Sequence, residues 1–162
     1  MKLRVFLPRS ESKIVFVLVM VCYALAATVS MGTLATAFGL PRPEPGVFLR
    51  QGSPTAHVVV LLLLAPVTET LLLIGVLELT RWLRAASWLQ VTCATALLAV
   101  GHSAAANPWG FAVAPAFAIQ SLAYLEWRRV SWKVGYAVVA SIHALLNVLP
   151  AISTVGYAAR NT

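Results

Sequence analysis

Four polar side chains set in otherwise apolar stretches have the types needed for acid-base chemistry: Glu69, His102, His143 and Asn147. A carboxylate held in an apolar site is a usable general base. With an imidazole beside it to hold a water molecule, it can take a proton from that water. Attack of the water on a peptide carbonyl creates an oxyanion, and an imidazole and an amide can both donate hydrogen bonds to it. Losing one such donor typically costs about 2.7–4 kcal/mol of transition-state stabilisation. The chemistry these residue types permit is therefore peptide hydrolysis, with Glu69 and His102 on the water and His143 and Asn147 on the oxyanion. One Glu and two His also make a zinc ligand set. No His-Glu-x-x-His motif occurs, so the expectation is no metal and no cofactor.

Each residue alone has a plainer reading. A single histidine or asparagine inside a membrane helix often bonds a neighbouring helix. A single acid costs roughly 2.5–3.5 kcal/mol at a bilayer centre and can be kept by pairing with a polar group. The four together are harder to explain as packing. His143 and Asn147 are four residues apart and so share one helix face. His57 reads as interfacial, Gln120 as a further residue able to line the same cavity, and Glu78 and Glu126 as boundary charges beside arginines.

The elements that must carry these residues follow from composition. The chain has 162 residues, 60% hydrophobic and 10% charged. That is the profile of a polytopic membrane protein. The net charge of +7 does not imply nucleic acid, because the basic residues sit in short clusters between apolar runs. Cys22 and Cys93 both lie in apolar runs, which argues against a disulfide or a metal knuckle. About 20 apolar residues span a bilayer. The expected fold is all-α, a single integral membrane domain over 1–162, with helices over 14–40, 56–80, 88–106, 111–125 and 134–158. The uncharged run 14–40 is too long for a signal-peptide core of about 7–15 residues, so it reads as a retained helix.

The breakers fall between these spans. Residues 41–55 hold four prolines and two glycines, which reads as a loop. Asn107-Pro108-Trp109-Gly110 reads as a tight turn, and 126–133 as a polar loop bearing tryptophans. Pro66 is expected to kink the second helix and to free the carbonyl of Leu62 just before Glu69. With the N-terminus inside, nine basic residues lie inside (Lys2, Arg4, Arg9, Lys13, Arg81, Arg84, Arg128, Arg129, Lys133) and three outside (Arg42, Arg50, Arg160). The bias predicts a cytoplasmic N-terminus and a C-terminus on the far side. Counted from the cytoplasmic helix ends at about 1.5 Å per residue, all four site candidates fall in one slab, roughly 15–21 Å deep.

These residues resemble the motifs of the CAAX protease and bacteriocin-processing (CPBP, or Abi) family of intramembrane proteases. That family carries Glu-Glu-x-x-x-Arg, then Phe-x-x-x-His, then His-x-x-x-Asn or Asp on successive helices. This chain reads Glu69-Thr70-Leu71-Leu72-Leu73-Ile74, Leu98-Ala99-Val100-Gly101-His102 and His143-Ala144-Leu145-Leu146-Asn147. The second Glu is Thr70, the Arg is Ile74 and the Phe is Leu98. The resemblance covers about 65–150. It implies a glutamic-type endopeptidase without an obligatory metal. It also implies the same division of labour among Glu69, His102, His143 and Asn147, and a membrane-anchored protein or peptide as substrate. The short chain looks like the small bacterial members, which places it in a bacterial inner membrane as a multi-pass protein. Two other functions fit parts of the pattern. A catalytically silent member would act as an immunity or scaffold protein that binds a partner's transmembrane helix. A proton-coupled carrier would use Glu69 alone, but the chain lacks two similar halves and paired broken helices.

Overall fold

A computed structural model describes residues 12–40, 53–105 and 109–160. All the regular structure among these residues is helical. Five helices follow one another: α1 (Lys13–Ala37), α2 (Pro54–Trp82), α3 (Ser87–Ala105), α4 (Trp109–Trp127) and α5 (Trp132–Ala158). Three of them, α1, α2 and α5, are long and apolar enough to cross a membrane. Residues 1–11 of the basic N-terminal segment 1–13, most of the loop (41–52), Ala106 of the expected helix 88–106, and Asn107 and Pro108 of the expected turn lie outside the described residues.

The helix ends have local causes. Ser12, Ser53 and Ser131 cap α1, α2 and α5, their hydroxyls accepting from the N–H groups of Val15, Ala56 and Val134. The first helix stops at Ala37 rather than Leu40, because Gly39 takes a positive φ and Leu40 N–H donates back to the Ala35 carbonyl. Arg84 takes the same left-handed position at the end of α2, with Ala85 N–H donating to Thr80. The fourth helix is longer than the expected 111–125. Trp109 and Gly110 open it instead of forming a turn, and it runs on through Glu126 and Trp127, so only 128–131 separate it from α5.

Two helices are irregular where they carry the site. In α2, residues Val60–Leu64 form a π-helical turn in which Ala65 N–H reaches the Val60 carbonyl, five residues back. In that register Pro66 would bond Leu61. The carbonyl released by the proline is therefore that of Leu61, one residue earlier than an α-helical count to Leu62 gives. The fifth helix is interrupted at Asn147, between segments Trp132–Leu146 and Val148–Ala158. Pro150 lacks the N–H that an unbroken helix would aim at Leu146.

Helix α4 is central. It packs against α3, against α1 and against the first segment of α5 (Trp132–Leu146), while α2 touches both α3 and α5. Phe16, Met20, Leu73, Leu77, Leu98, Phe117, Tyr124, Val139 and Ile142 form the core. At Gly110 the α3 backbone comes so close that a β-carbon would collide with the Ala99 carbonyl and the Ser103 hydroxyl. Gly110→Ala is expected to destabilise the bundle at or above the upper end of the overpacking range of about 1–3 kcal/mol, because backbone cannot step aside as a side chain can. A thermal-aggregation assay on extracted protein reads this directly.

The outer faces are apolar and the interior holds polar groups. Ile14, Leu63, Val100, Trp82 and Trp88 are exposed, whereas Thr70, Gln90, Gln120, Ser121 and His143 are buried. Exposed hydroxyls of Thr33, Thr68, Thr92 and Ser141 donate to carbonyls of their own helices at 2.8–2.9 Å. That pattern suits a surface in contact with hydrocarbon, where polar groups must be satisfied internally. Among the described residues, most of the charged groups, Glu69 and Arg160 apart, gather at one end of the bundle. Glu78 of α2 accepts from Tyr124 Oη at 2.8 Å and lies 2.7 Å from Arg128 Nε and 3.0 Å from Arg81. Phe16 at the start of α1 meets the Trp127 ring edge-on at 5.4 Å. Glu78 thus ties α2 to α4 and is more than a boundary charge. The free cysteines are Cys22 and Cys93.

Candidate active site

Glu69, His102 and His143 come from three helices and meet at one point. Glu69 Oε2 is 3.6 Å from His102 Nε2 and 3.6 Å from His143 Nε2. These separations exceed a direct hydrogen bond. They are of the kind a bridging water spans. Oε2 is buried and has no hydrogen-bond partner in the protein.

The backbone decides which nitrogen of His102 faces the acid. Its Nδ1 lies 2.9 Å from the Leu98 carbonyl, one turn back on α3. A carbonyl only accepts, so Nδ1 carries the hydrogen, and whenever the ring is neutral Nε2 offers a lone pair toward Glu69. A carboxylate oxygen and an imidazole lone pair facing one another require a shared donor. Water with its two O–H groups supplies one to each. His143 is nearly enclosed, with a side-chain exposure of 6%, against 24% for His102 and 27% for Glu69. The site is closed on the α5 side and open on the side of Glu69 and His102.

Phe117 of α4 packs against both imidazoles. Its ring centroid is 5.1 Å from that of His102 and 5.8 Å from that of His143, the latter edge-on. This residue was not legible as part of the site, because a phenylalanine on an apolar helix carries no mark that distinguishes it from ordinary core. All four helices α2–α5 therefore contribute to the site.

Asn147 is placed differently from the expectation. Its Nδ2 donates to the Leu61 carbonyl at 2.8 Å, the group that the π turn and Pro66 leave open. Asn147 straps the break in α5 to the irregular turn of α2, and one of its amide hydrogens is used in doing so. His143, one turn earlier, points to Glu69. Thr70 and Ile74, where the family motif has Glu and Arg, are both buried and neutral. Among the described residues, no three His, Cys, Asp or Glu side chains are arranged to hold a metal ion. Comparison of the chain with protein-family models, with curated proteins and with solved structures finds no match.

Proposed function

We propose that this protein is an intramembrane endopeptidase of the CPBP type, hydrolysing a peptide bond of a membrane-anchored protein or peptide with a Glu/His-activated water. The observation that carries the reading is the single oxygen of Glu69 standing 3.6 Å from both histidines at the meeting point of three helices. Water held between Glu69 Oε2 and His102 Nε2 gives one proton to the carboxylate as its oxygen attacks the carbonyl carbon. His143 Nε2–H and the remaining amide hydrogen of Asn147 donate to the oxyanion. Collapse of the tetrahedral intermediate returns the proton from Glu69 to the leaving amine. The protein is proposed to act in a bacterial inner membrane, with a lipid bilayer and a membrane-anchored substrate as partners and no nucleic acid. The test is whether any membrane protein changes size between cells carrying the wild type and cells carrying Glu69→Gln.

The proposed topology has all five helices crossing, with the N-terminus cytoplasmic. Its support is the charged end of the bundle, where Lys13, Arg81, Arg84, Arg128, Arg129 and Lys133 flank the helix ends, together with exposed Trp82, Trp88 and Trp132. Reporter fusions after Pro45 and at the C-terminus should report the far side, and fusions at Arg84 and Arg129 the cytoplasm. A cytoplasmic C-terminus overturns the five-span topology.

A second reading, a catalytically silent member that binds a partner's transmembrane helix, is favoured by the buried Thr70 and Ile74 in place of the charged pair. It predicts that Glu69→Gln keeps every phenotype of the wild type.

A further inference from the structure

Hydrolysis inside a bundle with an apolar exterior needs a supply of water, and one face of α4 carries groups suited to it. Phe117, Gln120, Ser121 and Tyr124 follow at i, i+3, i+4 and i+7, which is one helical stripe. The upper end of the stripe is Phe117, against both histidines. The lower end is Tyr124, whose hydroxyl donates to Glu78 at the charged end. Between them lie Gln120 and Ser121, 1% and 0% exposed, and neither Gln120 Oε1 nor Ser121 Oγ has a partner in the protein.

The flanking helices also carry unpartnered buried hydroxyls. Thr70, beside Glu69 on α2, is fully buried with an unpartnered hydroxyl. Thr95 on α3, seven residues before His102 and so two turns nearer the charged end, has an unpartnered buried hydroxyl as well. The contrast with the outer faces is informative. The hydroxyls of Thr33, Thr68, Thr92 and Ser141 on the outer faces fold back onto their own helix carbonyls, whereas Thr70 and Ser121 make no such bond. Buried polar groups are almost always paired, with protein or with ordered water making two to four bonds.

We propose that a file of buried water runs along this stripe, from Tyr124 and Glu78 at the charged end, past Ser121, Gln120 and Thr70, to Glu69. Its use as the source of hydrolytic water rests on the protease reading; the file itself does not. Gln120 and Ser121 are thereby positioning residues for water, not catalytic ones.

Radiolytic hydroxyl-radical labelling with mass spectrometry tests this, because radicals formed from bound water oxidise the side chains beside it. In Ser121→Cys, the new thiol should be oxidised severalfold faster than Met20, which is as deeply buried (1%) but belongs to α1 and not to the stripe, and is itself highly reactive. Equal slow oxidation of both overturns the proposal. Should Ser121→Cys fail to accumulate, Tyr124 (0% exposed) is compared with Met20 in the unaltered chain. Its oxidation should exceed that of Met20 and fall in Gln120→Leu; the absence of either effect overturns the proposal. Labelling does not depend on turnover. A labelled stripe with no cleavage of any substrate leaves the file and removes the protease reading, and cleavage with a dry stripe does the reverse.

Discussion

Glu69→Gln is expected to abolish cleavage while leaving insertion, folding and substrate binding intact. Glutamine keeps the size of the side chain and one oxygen, so neither the packing of α2 nor its approach to the histidines changes much. What it removes is the group that accepts the proton. It also turns an acceptor into a donor opposite His102 Nε2, whose hydrogen is committed to Nδ1 and the Leu98 carbonyl. The water that needs two acceptors would then find one. General-base contributions are typically about 10²–10⁴-fold, so the loss should be plain in a gel assay of product. His102→Ala should fall in the same range, since it removes the second acceptor. A membrane protein that accumulates uncut in cells carrying Glu69→Gln is the substrate. If no protein changes size, and Glu69→Gln still rescues the phenotype of a full deletion, the partner-binding reading replaces the protease.

Ile74→Arg is expected to deplete folded protein, and Thr70→Glu in the same chain to restore part of it. Ile74 is 8% exposed and Thr70 is fully buried on the same helix. An arginine at a helix centre in the bilayer costs about 2.5–3.5 kcal/mol on insertion scales even before the packing of Ile74 is lost. The two positions are four residues apart with the acid N-terminal, the favourable order for an ion pair along a helix. Removing both partners of such a pair leaves no stranded charge, whereas removing one does. If the chain shares the proposed CPBP ancestry, the neutral Thr70 and Ile74 represent a joint loss of both partners. A thermal assay of extracted protein checks it: a double variant no more stable than Ile74→Arg alone sinks the joint-loss account.

The all-helical character and the three helices long and apolar enough to cross a membrane are legible in the sequence, because length and hydropathy are local properties. The expected run 56–80 lies within Pro54–Trp82, and the described part of 88–106 lies within Ser87–Ala105. Where the reading missed, the deciding atoms were ones that hydropathy does not weigh. Gly39 stopped α1 early through a left-handed φ, and Glu126 and Trp127 stayed helical beside the ion pair and ring contact that dock that end of α4. The depth estimate for Glu69, His102 and His143 agrees with their meeting, since rise per residue is nearly constant in a helix.

Sequence alone thus determined an all-helical, largely apolar chain and three residues able to share one site. Rotation about each helix axis, and which helix neighbours which, belong to the packed bundle. That packing decided that Phe117 touches both histidines and that Glu78 binds Tyr124. It also decided that Asn147 donates to Leu61, a carbonyl opened by a π turn that no residue pattern announced. Side-chain partners between helices depend on crossing geometry summed over the whole interface, and a linear spacing carries no record of it.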